Sequence, residues 1–204
     1  MPLAVSEWKL FDGDVPHVST LEFHQHRERA PHLEQAHHQA RLHTAAKLIR
    51  RSPVGTTFSD LGCGDGGLLS LVQEGFHDAW GYDFQPSNAA GWAERGVRAY
   101  AADVFGADRE TVVIGTVVAM TEVLEHLADP HGVLRWLHEY ESGGTPVVET
   151  LVCSSPVNES GGLHDECHAW AWDAVGYASL VAGAGWTVVD HEVVDPFQVI
   201  RAVR

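Results

Sequence analysis

The amino-acid sequence predicts an α/β protein with a Rossmann-like, mostly parallel sheet of seven strands, helices on both faces and a C-terminal antiparallel hairpin. Two patterns carry this prediction. Short apolar runs typical of strands alternate with helical segments along most of the chain, as in a parallel sheet wrapped by helices. The last two strands, residues 186–194 and 197–203, are separated only by Asp195 and Pro196. Because so short a link cannot make the crossover that parallel neighbours need, these strands are expected to pair antiparallel.

Each predicted element follows from its own local pattern. Apolar residues at spacings near three and four indicate a helix over residues 33–51, with Pro31 before it and Pro53 after it. Five further runs are predicted to contain strands: residues 56–61, 79–83, 97–101, 112–120 and 145–153. The remaining predicted helices are residues 67–74, 87–95, 130–141 and 172–184. Since the chain shows no repeat or linker, residues 1–204 are expected to form one domain, with a core at 33–204 and an extension or lid at 1–32.

The composition limits the compartment and the partners. The 204 residues carry 28 acidic and 13 basic side chains, a formal net charge of −15. A surface this acidic repels phosphate backbones, which disfavours a nucleic-acid partner. No apolar run approaches the roughly 20 residues that cross a bilayer, and residues 1–10 lack a secretory signal, so a cytoplasmic protein without a membrane span is expected. Cys63, Cys153 and Cys167 form no C-x-x-C pair, which supports neither disulfides nor a thiolate zinc site.

Histidine is concentrated towards the N-terminus. Of the 14 histidines, seven precede residue 44: His17, His24, His26, His32, His37, His38 and His43. Their spacing contains neither H-x-x-H nor H-E-x-x-H, so they are expected to occupy polar helix faces, and no metal site is predicted among them.

A glycine-rich loop lies where the first core strand meets the helix that follows it. Residues 60–67 read DLGCGDGG. Ligands of open α/β sheets bind beyond the carboxyl ends of the strands, where glycines let the backbone turn sharply and approach the ligand. Gly62, Gly64 and Gly67 also satisfy the dinucleotide fingerprint G-x-G-x-x-G. The glycines alone therefore leave open whether the cofactor is a nicotinamide dinucleotide or another nucleoside.

Acidic residues at three successive strand ends narrow the choice of cofactor. Asp60, two residues before Gly62, is poorly placed beside a pyrophosphate and favours a ligand with an ammonium or sulfonium group. Asp83 ends the second strand, where a carboxylate can accept hydrogen bonds from both hydroxyls of a ribose. Asp103 follows the third strand and is placed to accept from an adenine amino group.

With these motifs in order, the sequence resembles the class I S-adenosylmethionine-dependent methyltransferases, within the group that includes ubiquinone-biosynthesis-type enzymes. The resemblance covers approximately residues 35–204. The matching segments are DLGCGDG at 60–66, GYD at 81–83, ADV at 102–104, TEVLEHLADP at 121–130 and HAW at 168–170, followed by a helix that ends in AGW at 184–186.

The resemblance implies S-adenosyl-L-methionine as cofactor and assigns roles to particular residues. In that family the glycine loop holds the methionine part, the acid ending the second strand holds the ribose, and the aspartate after the third strand holds adenine. The resemblance therefore implies that Gly62 and Gly64 hold the methionine part, Asp83 the ribose and Asp103 the adenine. Phe84 is implied to stack near the adenine, and Arg41 to help bind the cofactor carboxylate. The implied cofactor set also includes Asp60, Cys63, Val104 and Thr121. The segment 168–170 is implied to begin the helix that covers the active site.

The acceptor side is less constrained by the sequence. Methyl transfer from a sulfonium is an in-line displacement that depends largely on positioning, and a base is needed only where the acceptor carries a proton. Histidine titrates near neutrality and suits that role. The candidate bases lie in the loops after the fourth and fifth strands: Glu122, Glu125, His126, His164 and His168. Asp165, next to His164, is a candidate for acceptor contact.

The main prediction is an S-adenosylmethionine-dependent methyltransferase acting on a small-molecule or peptide-like acceptor, neutral or cationic. One alternative rests on Glu122, Glu125 and His126, which with His164 or His168 resemble the metal-binding set of small-RNA 3′-terminal 2′-O-methyltransferases. The acidic charge and the lack of a basic groove count against such an RNA enzyme. A non-catalytic S-adenosylmethionine-binding protein is a second alternative. A nicotinamide-dependent oxidoreductase that uses the same glycines is a third.

Overall fold

Seven strands form the main sheet, as predicted. The computed structural model describes residues 7–9, 26–157, 159 and 167–204. The strands are β1 (Thr57–Leu61), β2 (Asp78–Asp83), β3 (Ala99–Ala101), β4 (Val117–Thr121), β5 (Thr150–Pro156), β6 (Thr187–Val194) and β7 (Phe197–Val203). Their order is β6-β7-β5-β4-β1-β2-β3. Strands β1 to β5 run parallel, and β7 pairs antiparallel with both β5 and β6. The predicted C-terminal hairpin is therefore confirmed.

Helices cover both faces of this sheet because its central strands are apolar on both sides. The helices are α1 (Ala36–Ile49), α2 (Gly67–Val72), α3 (Ala89–Arg95), α4 (Pro130–Glu139) and α5 (Ala174–Gly183). Single 3₁₀ turns occur at His32–Glu34, Gln73–Gly75, Pro86–Asn88 and Leu124–His126. Val117 and Ala119 of β4 pack with α1 and α2, whereas Val118 and Met120 pack with α4 and α5. The alternation of side chains along the strand thus separates two apolar clusters.

The boundaries of several predicted elements differ from the observed ones, among them the two that follow. The expected strand at 145–153 is divided: Thr145–Pro146 pairs with Glu141–Ser142 in a small hairpin, and β5 begins only at Thr150. The expected helix at 172–184 begins at Ala174, where the Asp173 carboxylate accepts a hydrogen bond of 2.8 Å from the backbone N–H of Gly176.

The segment before α5 is a strand, contrary to the helix start implied for residues 168–170. Trp170–Trp172 pairs antiparallel with Glu7–Lys9, and the Trp172 indole N–H donates to a Glu7 carboxylate oxygen at 2.7 Å. The partner strand comes from the far end of the sequence, so no local pattern could have indicated this pairing.

None of the helices in the described part of the chain combines the length and the apolar character that a membrane span requires.

Candidate active site

A cavity of about 620 Å³ opens at the carboxyl ends of the parallel strands. The loops after β1, β2, β3 and β4 line it, and the 26–32 segment, the start of α1 and the turn between β6 and β7 complete its wall. Most of the predicted cofactor residues contribute to this wall: Arg41, Gly62, Cys63, Gly64, Asp83, Phe84, Val104 and Thr121. Glu122, His126 and His168 line it as well, whereas His164 and Asp165 lie outside the described residues.

The glycine loop is shaped by left-handed backbone conformations. Gly62 and Gly64 have φ angles of 78° and 53°, a region that L-residues other than glycine rarely adopt. The N–H groups of Gly62 and Cys63 both donate to the Tyr82 carbonyl, at 2.8 and 2.9 Å, which fixes the loop against β2. A Cβ on Gly62 would lie 2.6 Å from the Val123 Cγ2 atom, whereas a Cβ on Gly64 would have no heavy atom within 4 Å.

Gly62→Ala is therefore expected to destabilise the fold more than Gly64→Ala. Both variants carry the left-handed strain of roughly 1–2 kcal/mol, but only Gly62→Ala also collides with Val123. Chemical denaturation of the two purified variants measures the difference. Combining Gly62→Ala with Val123→Ala should recover part of the loss, and equal stability of the two single variants would contradict the steric argument.

Asp83 ties the end of β2 to the glycine loop. One carboxylate oxygen accepts from the Gly64 N–H at 2.9 Å. The other accepts from the Gln85 N–H at 2.8 Å and from the Asn88 side-chain amide at 3.1 Å. Burial raises the pKa of Asp83, and these three donors counteract the shift. The carboxylate is thus held rigidly in the cavity wall.

Two other acidic residues do not reach the cavity wall. Asp60 is 1% exposed, and neither of its carboxylate oxygens accepts a hydrogen bond from a described residue. Burial, and then the charge of Asp83, raises the pKa of Asp60 to about 7, while Arg41 counteracts the rise. The Asp103 carboxylate accepts from the Ala107 N–H at 3.3 Å and so caps its own turn. Its neighbours Ala102 and Val104 line the cavity in its place.

A buried ion pair joins α1 to the ends of β4 and β5. The Arg41 guanidinium lies 3.8 Å from a Glu122 carboxylate oxygen, and the same oxygen accepts from the Ser154 hydroxyl at 2.9 Å. Glu122 has a φ of 58°, the one positive value for a non-glycine residue in the described ranges. Burial raises the pKa of Glu122, and Arg41 counteracts the rise. Strained, buried charge of this kind is typical of functional sites.

The imidazole rings of two histidines lie close together near this ion pair. The ring centroids of His126 and His168 lie 4.7 Å apart in an edge-to-face arrangement. The Nδ1 atom of His126 contacts the Cys167 carbonyl oxygen at 3.0 Å, and the Nδ1 atom of His168 contacts a Glu159 carboxylate oxygen at 2.6 Å. The Glu125 carbonyl accepts from the Ala169 N–H at 2.6 Å, which holds the loop after β4 against the segment before α5.

Sequence reasoning missed several residues of the wall because no motif marks them. Glu159 and Phe197 approach the cavity only through tertiary contacts. His32 and His38 line the cavity, contrary to the expected polar helix face, and burial lowers the pKa of His38 to about 3. Exposed His37 and His43 do fit that expectation, whereas His17 and His24 lie outside the described residues.

The segment before α1 is anchored across the cavity. The Gln85 side-chain amide donates to the Glu28 carbonyl at 3.1 Å, and the Ser87 hydroxyl donates to the Arg27 carbonyl at 3.0 Å. Arg29 forms an ion pair of 3.1 Å with the buried Asp65 carboxylate of the glycine loop. Residues 26–32 are thereby joined directly to the loops after β1 and β2.

Comparison with known proteins agrees with this architecture. A family model described as a methyltransferase domain matches residues 31–191, and no curated protein sequence matches the chain significantly. An N-methyltransferase (NodS) of Bradyrhizobium japonicum, solved with S-adenosyl-L-homocysteine, has a TM-score of 0.66 at 15% identity, covering 90% of this chain and 96% of its own.

Two further enzymes share the fold. The 1,6-didemethyltoxoflavin-N1-methyltransferase of Burkholderia thailandensis, solved with its acceptor and S-adenosylhomocysteine, has a TM-score of 0.64 at 17% identity, covering 84% and 79% of the two chains. The magnesium protoporphyrin IX methyltransferase of Synechocystis, solved with S-adenosylmethionine, has a TM-score of 0.61 at 12% identity, covering 82% and 81%. The family match also decides between the cofactor classes that the glycines left open. This chain belongs to the methyltransferase-domain family and is a class I S-adenosylmethionine-dependent methyltransferase.

Proposed function

We propose that the enzyme methylates a small-molecule acceptor that binds beside His126 and His168. The observation that carries this proposal is that one cavity joins the glycine loop and Asp83 to these two imidazoles. Its volume of about 620 Å³ lies within the range of roughly 300–1,000 Å³ that small-molecule sites occupy. A space of this size suits a cofactor together with a small acceptor.

The cofactor is proposed to occupy the end formed by the loops after β1, β2 and β3. Two observations support this placement. The space above Gly64 is open, so a ligand can approach the backbone there. The Asp83 carboxylate oxygens accept three hydrogen bonds between them, and the oxygen bonded to the Gly64 N–H retains a lone pair for a ribose hydroxyl. Phe84 and Val104 would then contact the adenine, Cys63 and Thr121 would line the methionine part, and Arg41 would lie near its carboxylate.

The acceptor is proposed to occupy the end lined by Glu122, His126, Glu159 and His168. S-adenosylmethionine supplies a methyl group on a sulfonium, so the acceptor needs only a lone pair aligned with that methyl. A hydroxyl or an ammonium acceptor must also lose a proton, and the imidazoles and carboxylates here are the groups that can receive it. The two carboxylates favour a neutral or cationic acceptor, and the net charge of −15 disfavours a nucleic acid.

Residues 26–32 are proposed to act as a lid over the cofactor end. Support comes from the contacts of Arg27, Glu28 and Arg29 with the loops after β1 and β2. Breaking the ion pair with Arg29→Ala should therefore accelerate the release of S-adenosylhomocysteine, as measured by stopped-flow fluorescence. An unchanged release rate would contradict the lid.

Asp83→Ala is expected to weaken the binding of S-adenosylhomocysteine by roughly 1.5–3 kcal/mol, because charge-assisted hydrogen bonds are lost. Calorimetric titration measures the affinity, with NADH as a control ligand that should not bind. Asp78→Ala is the matched control, since Asp78 begins the same strand and lies away from the cavity. Equal affinity of Asp83→Ala and the wild type would exclude Asp83 from the cofactor site.

The acceptor class is tested by methyl transfer itself. Purified enzyme and S-[methyl-³H]-adenosylmethionine are incubated with a cell extract, which is then separated into small molecules, proteins and nucleic acids. Label is expected in the small-molecule fraction. Label confined to RNA would support the metal-dependent RNA alternative, and label in no fraction, despite binding of S-adenosylhomocysteine, would support a non-catalytic binding protein.

A further inference from the structure

Three side chains at the acceptor end bring potential metal ligands together. Glu125, His126 and His168 each offer one ligand atom, and these atoms all lie within 4.8 Å of one another. Glu125 and His126 belong to the 3₁₀ turn after β4, whereas His168 precedes the strand Trp170–Trp172. The sheet therefore assembles the group from two loops that are distant in sequence.

Both imidazoles are oriented as metal ligands commonly are. The Cys167 carbonyl can only accept a hydrogen bond, so the Nδ1 atom of His126 must carry the proton and donate it. The Nδ1 atom of His168 likewise donates to the Glu159 carboxylate. In each ring this fixes the tautomer whose Nε2 atom carries a lone pair. Carbonyl and carboxylate groups that orient a histidine in this way are the usual outer partners of histidine ligands.

The buried Glu125 carboxylate supplies an independent indication of a cation ligand. Its side chain is 0% exposed, and neither carboxylate oxygen accepts a hydrogen bond from any described residue. Buried carboxylates are normally paired, hydrogen-bonded or bound to a metal. The Arg41 guanidinium forms its ion pair with Glu122, and no ion pair joins it to Glu125.

We propose that Glu125, His126 and His168 bind one divalent transition-metal cation, such as Zn²⁺ or Mn²⁺. Two imidazole nitrogens and one carboxylate oxygen form a donor set that suits such cations better than Mg²⁺ or Ca²⁺, which prefer oxygen alone. Three protein ligands leave coordination positions open, and His126 and His168 both line the cavity. Glu122 stays outside the set because it pairs with Arg41 and Ser154.

The open positions give the cation a role that rests on the proposed function. An acceptor oxygen bound there would be oriented near the transferred methyl, and the cation would lower the pKa of an acceptor hydroxyl. The acceptor would then be an oxygen-bearing small molecule, with His126 and His168 acting as ligands. The hydroxyl proton would pass to the Glu122 carboxylate of the cavity wall, the methyl would move from the sulfonium sulfur to the acceptor oxygen, and S-adenosylhomocysteine would leave.

Titration of the whole, chelator-treated chain with cobalt(II) tests the site. Bound cobalt(II) has visible absorption bands that depend on the protein atoms that coordinate it. One tightly bound equivalent is expected in the wild type, with loss of the bands in Glu125→Gln and His168→Ala. Glu159→Gln should weaken the cobalt affinity by about 10–100-fold, since the Glu159 carboxylate orients the His168 ring. His37→Ala is the matched control for adventitious binding by exposed histidine and should behave as the wild type.

Two further measurements make each outcome decisive. Binding of S-adenosylhomocysteine is measured in the same samples, so that failure of the proposed function is separated from failure of the metal site. When Mn²⁺ is added to the wild-type protein, it should broaden the imidazole NMR signals of His126 and His168 selectively. The same selective broadening should not occur in the variants that lack a ligand. Cobalt binding that persists in Glu125→Gln and His168→Ala, or uniform broadening of all histidine signals, would overturn the proposal.

Discussion

Arg41→Met is expected to destabilise the protein by up to about 3–5 kcal/mol at pH 8, because the change leaves the largely buried Glu122 charge without its partner. The guanidinium is 1% exposed and also lies over the Phe197 ring, 5.1 Å from its centroid. Arg41 lowers the pKa values of both Glu122 and Asp60, so both pKa values should rise in its absence. A carboxyl whose pKa is raised in the folded state makes the protein less stable as the pH rises, because the buried group must then ionise. The destabilisation caused by Arg41→Met should therefore be smaller at pH 5 than at pH 8.

Urea denaturation of wild type and variant at the two pH values measures this difference. Lys47→Met on the same helix is the control, because the exposed pair of Lys47 with Glu192 should contribute only about 0–1 kcal/mol. Adding Glu122→Gln to Arg41→Met should restore part of the stability, since it removes the uncompensated charge. A loss that is independent of pH and unaffected by Glu122→Gln would mean that Arg41 acts through packing alone.

Asp60→Asn is expected to change the pH dependence of stability more than any exposed carboxyl does. The pKa of Asp60 is raised from 3.8 to about 7, so its stabilising contribution is complete below 3.8 and is lost as pH rises to about 7. Over that window the free energy of unfolding of the wild type should fall by about 4 kcal/mol relative to that of the variant, since each pH unit contributes about 1.4 kcal/mol. Denaturant midpoints at half-unit intervals from pH 4 to 8 give the difference curve.

Asp78→Asn provides a control whose difference curve should be nearly flat between pH 4 and 8. Its exposed carboxyl pairs with Arg98, which lowers the pKa, so its effect should appear only as pH falls below 3.8. Identical difference curves for the two variants would contradict the assignment of the raised pKa to Asp60.

If the cofactor ammonium lies near Asp60, binding of S-adenosylhomocysteine near pH 6 should also release a proton. Calorimetry in buffers of different ionisation enthalpy would detect it.

The core sheet could be predicted because its signals are local. The alternation of apolar residues, the glycines at 62 and 64, and the two-residue link at Asp195 and Pro196 each constrain the backbone within a short window of sequence. The same windows place Asp83 at a strand end beside the glycine loop, and its 2.9 Å contact with Gly64 agrees with that placement. The burial of both faces of a parallel sheet is expressed in the sequence as continuous apolar runs.

The details of the site depend on contacts that no window contains. Trp170–Trp172 becomes a strand because residues 7–9 supply its hydrogen bonds, and His126 is oriented by a carbonyl 41 residues away. Asp60, near the end of β1, and Asp103, after β3, lie where the sequence places them, yet their carboxylates do not reach the cavity wall, because side-chain direction depends on the packing of the surrounding loops. The sequence alone therefore determined the fold, the glycine loop and the cofactor class, since backbone geometry is encoded locally. Only the tertiary structure decided which acids face the cavity and which groups gather at its acceptor end, because distant segments must pack together to create those positions.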